Sequence, residues 1–172
     1  MATGMLTNSN ASTITLRKAG ATDLVAINRL IDAAIMTWDL PERVKRLSRP
    51  SYHYKPHDLD ILEIMAAENS EHRVVGVAAW EPAGSIDALE GYSALLLHGI
   101  YVDPDQQRHS IGTQLLRAAE RAAIDKGFSG LLVKAQASAA GFFKANGMQP
   151  LEVENARRDY KHRYWKLLKY FG

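Results

Sequence analysis

A short polar turn joins an apolar segment to an amphipathic one at residues 102–116. The turn runs from Asp103 to Ser110, and Gly112 lies at the start of the segment that follows. The first N–H groups of a helix lack partners within the helix, and the helix dipole places partial positive charge at that end. Such a turn can hold a phosphate mainly through main-chain groups. The segment therefore predicts an anion site in which the absence of bulk matters more than the side chains.

Hydrophobic periodicity places this turn within a mixed order of strands and helices. A strand at residues 13–18 precedes a helix at 24–36, whose apolar residues recur at three- and four-residue steps. The other expected elements are a helix at 41–47, strands at 60–67, 73–81 and 92–102, a helix from 111 to 126, a strand at 130–135, a helix at 138–145 and a strand at 161–169. Residues 48–58, rich in proline, aromatic and histidine residues, are expected to form a loop. Residues 59–68 could instead be helical.

Composition favours one ordinary globular domain. The chain has 172 residues, of which 47% are hydrophobic and 23% charged, so the expected division is a flexible leader at 1–12 and a single domain at 13–172. No cysteine is present, which excludes disulfides, thiolate metal sites and a catalytic thiol. The net charge of +2 gives no strong drive toward nucleic acid or an anionic membrane. The first residues lack the pattern of a signal peptide, so a cytoplasmic location is expected.

Two short motifs resemble those of one enzyme family. Residues 107–112 (Gln-Arg-His-Ser-Ile-Gly) match the acyl-CoA-binding signature Q/R-x-x-G-x-G/A at five of six positions, with Ser110 in place of the first glycine. Residues 139–148 are similar to the segment A-x-x-F-Y-x-K-x-G-F that follows the fifth strand of the same family. Together with the order of elements, these motifs give a resemblance to the GCN5-related N-acetyltransferase (GNAT) superfamily over roughly residues 13–168.

The resemblance implies both a fold and an activity. The implied fold is α/β (α+β), with a mixed, mostly antiparallel central sheet that is splayed between strands 4 and 5 and flanked by helices. The implied activity is direct transfer of acetyl from acetyl-CoA, as co-substrate, to an amine of a small molecule or peptide through a tetrahedral intermediate. No metal, nucleic acid or membrane is expected to take part, and a homodimer is left open.

The same resemblance implies where the cofactor would bind. The strand before the turn would contact pantetheine, the turn would hold the pyrophosphate, and Gln136 would take the place of an asparagine beside the cofactor arm. The cofactor-binding candidates are Ile100, Tyr101, Val102, Gln107, Arg108, His109, Ser110, Ile111, Gly112, Thr113, Gln136, Phe143 and Lys144. A backbone N–H near Ile100 would stabilise the oxyanion.

Three residues are catalytic candidates. His98 is the only polar side chain at positions 95–102, and an imidazole can accept a proton at neutral pH. The alternative for His98 is a buried histidine bonded to backbone. Glu81 is a second base candidate, or a solvated residue at a strand end, and Tyr160 is a candidate proton donor. Gly99 beside His98 marks a β-bulge or merely relieves packing.

Two positions depart from the family pattern. Ser110 fits the motif if its φ angle is negative, in which case its hydroxyl could bond a phosphate oxygen or cap the helix. Phe143 takes the place of a tyrosine thought to protonate the departing thiolate, and phenylalanine has no proton to donate. Tyr160 and Tyr164 are candidate substitutes, although Tyr164 could simply pack as a strand aromatic.

Two other functions stay open at this point. A non-catalytic sensor or interaction module could keep the fold and bind CoA, and the departures at Ser110 and Phe143 favour it. A different phosphate-binding enzyme could use the same turn, but the sequence lacks G-x-x-x-x-G-K-[ST]. Aromatic residues Trp38, Tyr52, Tyr54 and Trp80, together with His53, could line an acceptor site.

Overall fold

The computed structural model describes residues 13–106, 110–157 and 160–168. Its helices are α1 (Leu24–Met36), α2 (Glu42–Tyr52), α3 (Asp58–Ile61), α4 (Ile111–Asp125) and α5 (Ala140–Ala145). Its strands are β1 (Thr15–Lys18), β2 (Glu63–Glu68), β3 (Val74–Pro82), β4 (Ala94–Val102), β5 (Gly130–Lys134), β6 (Gln149–Pro150) and β7 (Arg163–Leu167). None of the helices in this part of the chain has the length and apolar character to cross a bilayer.

The strands form one seven-stranded sheet in the order β1-β2-β3-β4-β5-β7-β6. Every neighbouring pair is antiparallel except β4 and β5, which run parallel. A parallel pair needs a crossover, and α4 supplies it. The expected α+β fold, with a mostly antiparallel mixed sheet flanked by helices, is confirmed.

Helices cover both faces of the sheet. The apolar stripe of α1 packs on β3 and β4 with Val77 and Ala79, whereas α4 packs on β3, β4 and β5 with Ala78 and Trp80. Because neighbouring residues of a strand point to opposite faces, these four residues place α1 and α4 on opposite sides. The buried positions of α1, at three- and four-residue steps, are Leu24, Ile27, Leu30, Ile31, Ala34 and Ile35, which is the stripe that the sequence predicts.

A glycine in β3 sets how closely the start of α4 approaches the sheet. A Cβ atom at Gly76 would lie 2.7 Å from Cγ2 of Ile111, the first residue of α4. The missing side chain lets Ile111 pack directly on β3. The N-terminus of α4 is thereby held beside the end of β4.

The expected loop at residues 48–58 is wrong in part. Helix α2 continues to Tyr52 with Pro50 in its last turn, and α3 forms at the end of this segment, before β2. A tertiary contact offsets the local proline signal within the helix, because Trp38 packs edge-on against Tyr52 in its last turn. Beyond the helix, Asn28 of α1 bonds both the N–H and the carbonyl of Tyr54 at 2.9 Å. Residues 59–68, for which both helix and strand were open, contain both: α3 ends at Ile61, and β2 begins at Glu63.

Arg17 ties β1 to the start of α1 and to β2. Its guanidinium donates two 2.9 Å hydrogen bonds to Asp23 and one of 2.8 Å to Glu68. The hydrogen bonds from Arg17 lower the pKa of Asp23. Those from His72 and then Arg17 lower the pKa of Glu68. Since both carboxyls bind protons less readily in the folded chain, their contribution to stability is present above about pH 4 and is lost as the pH falls below it.

Arg17→Met is therefore expected to lower the melting temperature at pH 7 by about 3 °C. The difference from wild type should shrink toward pH 3, because protonated carboxyls no longer gain from the guanidinium. Thermal unfolding followed by circular dichroism across this pH range checks the result. Arg29→Met, at an exposed position of α1, is the matched control. An equal difference at pH 7 and pH 3 would contradict the assignment.

Candidate active site

Strands β4 and β5 pair along only the first part of β4. Residues Ala94 to Leu97 pair with Gly130 to Val133, and the remainder of β4 has no partner on that side among the described residues. Because N–H and C=O groups alternate between the two edges of a strand, some backbone groups of residues 98–102 face the gap. The sheet is therefore splayed between strands 4 and 5, as the resemblance implies.

A β-bulge lies where the two strands separate. Ala79 of β3 pairs with Gly99, but Trp80 pairs with Leu97, so His98 is an extra residue on β4. The bulge that the sequence suggested beside Gly99 is confirmed. It bends β4 and re-aims the side chain of His98 at the edge of the gap.

The gap holds a cavity of about 720 Å³. Its walls come from the second half of β4, the first turn of α4, the end of β5, the α5 region and the α1–α2 region. The lining residues are Ala34, Thr37, Trp38, Tyr52, His98, Gly99, Ile100, Tyr101, Val102, Gln106, Ser110, Ile111, Gly112, Thr113, Val133, Lys134, Ala135, Gln136, Ser138, Ala139, Phe142, Phe143 and Tyr160. The open half of β4 and the N-terminus of α4 thus border one continuous space.

Most of the residues expected to bind the cofactor line this cavity. They are Ile100, Tyr101, Val102, Ser110, Ile111, Gly112, Thr113, Gln136 and Phe143. Gln107, Arg108 and His109 lie outside the described residues. Lys144 is exposed on α5 and is not among the lining residues.

Ser110 does not have the negative φ that would make serine fit the motif without strain. It precedes α4 with φ 60° and ψ 15°, in the left-handed region, and its side chain makes no capping hydrogen bond. This conformation strains the backbone of a residue that has a Cβ, whereas glycine adopts it without strain. The geometry explains why glycine is the family residue here.

Ser110→Gly is expected to raise the melting temperature by about 2–4 °C, because it removes roughly 1 kcal/mol of backbone strain. Ser110→Ala is the matched control, since it loses the hydroxyl but keeps the Cβ and should give no gain. Differential scanning calorimetry of the three chains checks this. Equal stabilisation by glycine and alanine would mean that the hydroxyl, and not the backbone angle, is unfavourable.

The two base candidates lie together. Nε2 of His98 is 2.8 Å from Oε1 of Glu81, on neighbouring strands. His98 is therefore not a buried histidine bonded to backbone, since 36% of its side chain is exposed. An ionised carboxylate only accepts hydrogen bonds, so in neutral His98 the Nε2 carries the hydrogen and Nδ1 keeps a free electron pair. This arrangement can remove a proton from a bound amine.

Phe143 and the two tyrosines considered as substitutes for the family's proton donor differ in exposure. Phe143 is 3% exposed, and its ring stacks on Tyr164 at 5.7 Å between centroids. Tyr164 is itself buried, so it packs as a strand aromatic. Tyr160 lines the cavity and is 41% exposed.

Tyrosines cluster at the end of the cavity formed by α1, α2 and Tyr160. Burial raises the pKa of Tyr101 and that of Tyr54 well above the usual range for a phenol, and Tyr54, Tyr52 and Tyr160 raise that of Tyr101 further. These phenols are neutral at physiological pH. Of the aromatic residues expected on the acceptor side, Trp38 and Tyr52 line the cavity.

The other candidates for an acceptor site have different surroundings. Tyr54 is in the core beneath α1, and Trp80 is buried on the α4 face. His53 pairs with Asp32 at 2.7 Å. In the part of the chain that the structure describes, no group of three or more histidine or acidic residues could hold a metal ion.

Comparison with known proteins decides the family. The family model described as Acetyltransferase (GNAT) family matches residues 33–148, which is more than half of the chain. This chain belongs to the GNAT family of acetyltransferases. A comparison with curated protein sequences gave no match.

Solved structures of the family share the fold. PaiA N-acetyltransferase from Thermoplasma acidophilum, in complex with coenzyme A, has a TM-score of 0.74 at 15% identity, covering 91% of this chain and 99% of that one. A GCN5-related N-acetyltransferase from Rhodopseudomonas palustris has a TM-score of 0.71 at 23% identity, covering 91% and 97%. A GNAT family acetyltransferase from Brucella melitensis, in complex with acetyl-CoA, has a TM-score of 0.63 at 18% identity, covering 93% and 89%.

Proposed function

We propose that this chain transfers acetyl from acetyl-CoA directly to an amine of a small molecule or peptide. The observation that carries the proposal is the continuous cavity between the open half of β4 and the first turn of α4. A pyrophosphate on the N–H groups of Ser110 to Thr113 and a pantetheine arm along Ile100 to Val102 fit the chemistry of these two walls. The thioester would then lie beside the bulge.

The pair formed by His98 and Glu81 supplies the base in this proposal. An alkyl ammonium has a pKa near 10, so about one amine in a thousand is neutral at pH 7. Nδ1 of His98 takes the proton, directly or through water, while Glu81 fixes the ring and stabilises the imidazolium. The amine then attacks the thioester carbon.

Backbone groups at the bulge stabilise the intermediate. As the amine adds, the carbonyl oxygen becomes an oxyanion, and a strand N–H near Ile100 that faces the gap is the proposed donor. The nitrogen of the intermediate then loses its second proton, and the intermediate collapses with cleavage of the C–S bond. The electron pair of that bond leaves on sulfur, which gains a proton, so that the amide and CoA are released. The acceptor reaches the thioester from the side bordered by Trp38, Tyr52 and Tyr160.

A thermal-shift titration and an acceptor screen test the proposal together. Acetyl-CoA should raise the melting temperature in a concentration-dependent way, by linkage to the folded state. A panel of amino acids, polyamines, aminoglycosides, aryl amines and peptides should then include at least one amine that releases CoA. Because the chain has no cysteine, a thiol reagent reports only the released CoA.

The outcomes separate the candidate functions. Stabilisation by acetyl-CoA without thiol release for any acceptor would favour the non-catalytic sensor. The strained backbone of Ser110 and the absence of a phenol at Phe143 also favour that function. Stabilisation by ATP without stabilisation by CoA would indicate a different phosphate-binding enzyme. Thiol release with one acceptor class would establish the transferase.

A further inference from the structure

A hydrogen bond joins two walls of the cavity that lie 84 residues apart in sequence. Nε2 of Gln136, just after β5, donates to the phenol oxygen of Tyr52, the last residue of α2, at 2.9 Å. Both residues line the cavity. Because the phenol oxygen accepts this bond, its own hydrogen is free to donate. No hydrogen bond among the described residues uses it.

The ring of Tyr52 is fixed and its hydroxyl is protonated. Trp38 packs edge-on against it, with the ring centroids 5.3 Å apart and the planes at 90°. Burial raises the pKa of Tyr52, and Tyr160 raises it further, whereas the hydrogen bond from Gln136 lowers it. Tyr52 is therefore a positioned hydrogen-bond donor at neutral pH.

The hydrogen bond to Gln136 places this donor beside the end of β5. Gln136 lies two residues beyond the end of β5 at Lys134, on the wall that faces β4 after the strands have separated. His98 lines the same cavity from β4. A thioester in this space would have both His98 and the Tyr52 hydroxyl among the groups that line it.

The departing sulfur needs a donor that Phe143 cannot supply. Tyr164, which stacks on Phe143, is 4% exposed and absent from the cavity lining. Tyr52 has a free hydrogen within the cavity, and Gln136 stabilises the negative charge that builds on its oxygen as the hydrogen is shared.

We infer that Tyr52 donates its hydroxyl hydrogen to the sulfur of the departing CoA, and that Gln136 is a positioning residue for it. This inference rests on the proposed acetyl transfer. As the C–S bond breaks, its electron pair stays on sulfur and takes the proton of Tyr52. As the amide forms, the nitrogen of the intermediate loses its second proton, which passes directly or through water to the phenolate held by Gln136. The net reaction therefore releases one proton to solvent, the one that His98 removes from the ammonium.

Tyr52→Phe is expected to lower kcat by about 10–100-fold, with the KM for acetyl-CoA changed by less than about twofold. The phenylalanine ring keeps the contact with Trp38, so the melting temperature should stay close to that of wild type. Gln136→Leu should lower kcat by about 3–10-fold. Tyr92→Phe, on a tyrosine that packs against Trp165 outside the cavity, is the matched control and should leave kcat unchanged.

A rescue variant separates chemistry from structure. Adding Phe143→Tyr to Tyr52→Phe places a phenol at a second point of the cavity wall and should recover at least about fivefold in kcat. A purely structural role of Tyr52 would not be repaired from that position. A larger loss for Tyr160→Phe than for Tyr52→Phe would overturn the inference in favour of Tyr160.

Bound CoA gives a readout that needs no acceptor. Since the chain has no cysteine, the thiol of CoA is the only thiol that iodoacetamide can alkylate. The pH profile of S-alkylated CoA formed under saturating protein reports the thiolate in the site. Tyr52→Phe should move the midpoint up by about one pH unit, because a hydrogen bond to the thiolate is lost. An unmoved midpoint would refute the inference even in an active enzyme. If the midpoint moves in a chain that acetylates no amine, the proposed acetyl transfer is refuted, but the hydrogen bond from Tyr52 to the sulfur of CoA is supported.

Discussion

His98→Ala should turn over acetyl-CoA and its amine about 10²–10⁴-fold more slowly than wild type. The substitution removes Nδ1, the proposed proton acceptor, from the wall of the cavity. Acetyl-CoA affinity should change by less than about twofold, because the pyrophosphate is held at the start of α4. Steady-state kinetics with thiol detection and calorimetric titration of acetyl-CoA measure the two effects separately.

The chain contains a second histidine–glutamate pair that serves as a control. Nδ1 of His72 lies 2.9 Å from Oε1 of Glu68, and neither residue lines the cavity. His72→Asn, which tolerates the φ angle of 61° at that position, should leave kcat unchanged. Glu81→Gln, which removes the charge that orients His98, should lower kcat by about tenfold. Unchanged turnover in His98→Ala would remove this residue from the mechanism.

Gly112→Trp should weaken acetyl-CoA binding by at least about 100-fold. A Cβ at Gly112 would already lie 3.3 Å from Cε2 of Phe142 and 3.7 Å from Cγ2 of Val102. An indole at this position would have to extend into the space proposed for the pyrophosphate, so a loss of about 2.7 kcal/mol in binding is expected. Calorimetric titration with acetyl-CoA and with CoA measures it.

Two further variants make the result at Gly112 interpretable. Gly84→Trp, at a position with no atom within 4 Å of an added Cβ, should bind acetyl-CoA as the wild type does. Gly112→Ala requires a shift of only a few tenths of an ångström in Phe142, and the family signature accepts alanine at this position, so binding should weaken by less than about threefold. Normal affinity in a folded Gly112→Trp chain would place the cofactor elsewhere.

Local patterns were sufficient to predict most of the elements, because hydrophobic periodicity and turn chemistry are properties of neighbouring residues. The short strand β6 was not predicted. The bounds of α1, from Leu24 to Met36, agree with the expectation. The same logic failed at residues 48–52, where Pro50 indicated a loop but α2 continues to Tyr52, against which Trp38 packs. The splay of the sheet between β4 and β5 was predicted from the family resemblance, because no local pattern of residues indicates it.

The site depends on contacts between residues far apart in the chain, and these could not be predicted from local patterns. His98 and Glu81 were separate candidates because their pairing requires the register of β3 on β4, including one extra residue. Tyr52 was only one of several aromatics, since its bond to Gln136 joins the end of α2 to the segment after β5, 84 residues away in the chain. The left-handed angle at Ser110 likewise follows from the entry of the chain into α4 and not from its residue type.

The bulge also fixes the number of residues in β4. Before it, Leu95 and Leu97 face α4; after it, Ile100 faces α4 while Tyr101 faces α1. One inserted residue has thus inverted the alternation of side chains along the rest of the strand. Deleting the single codon of His98 would turn Tyr101 and Ile100 to the wrong sides of the sheet and disrupt the cleft and the core together.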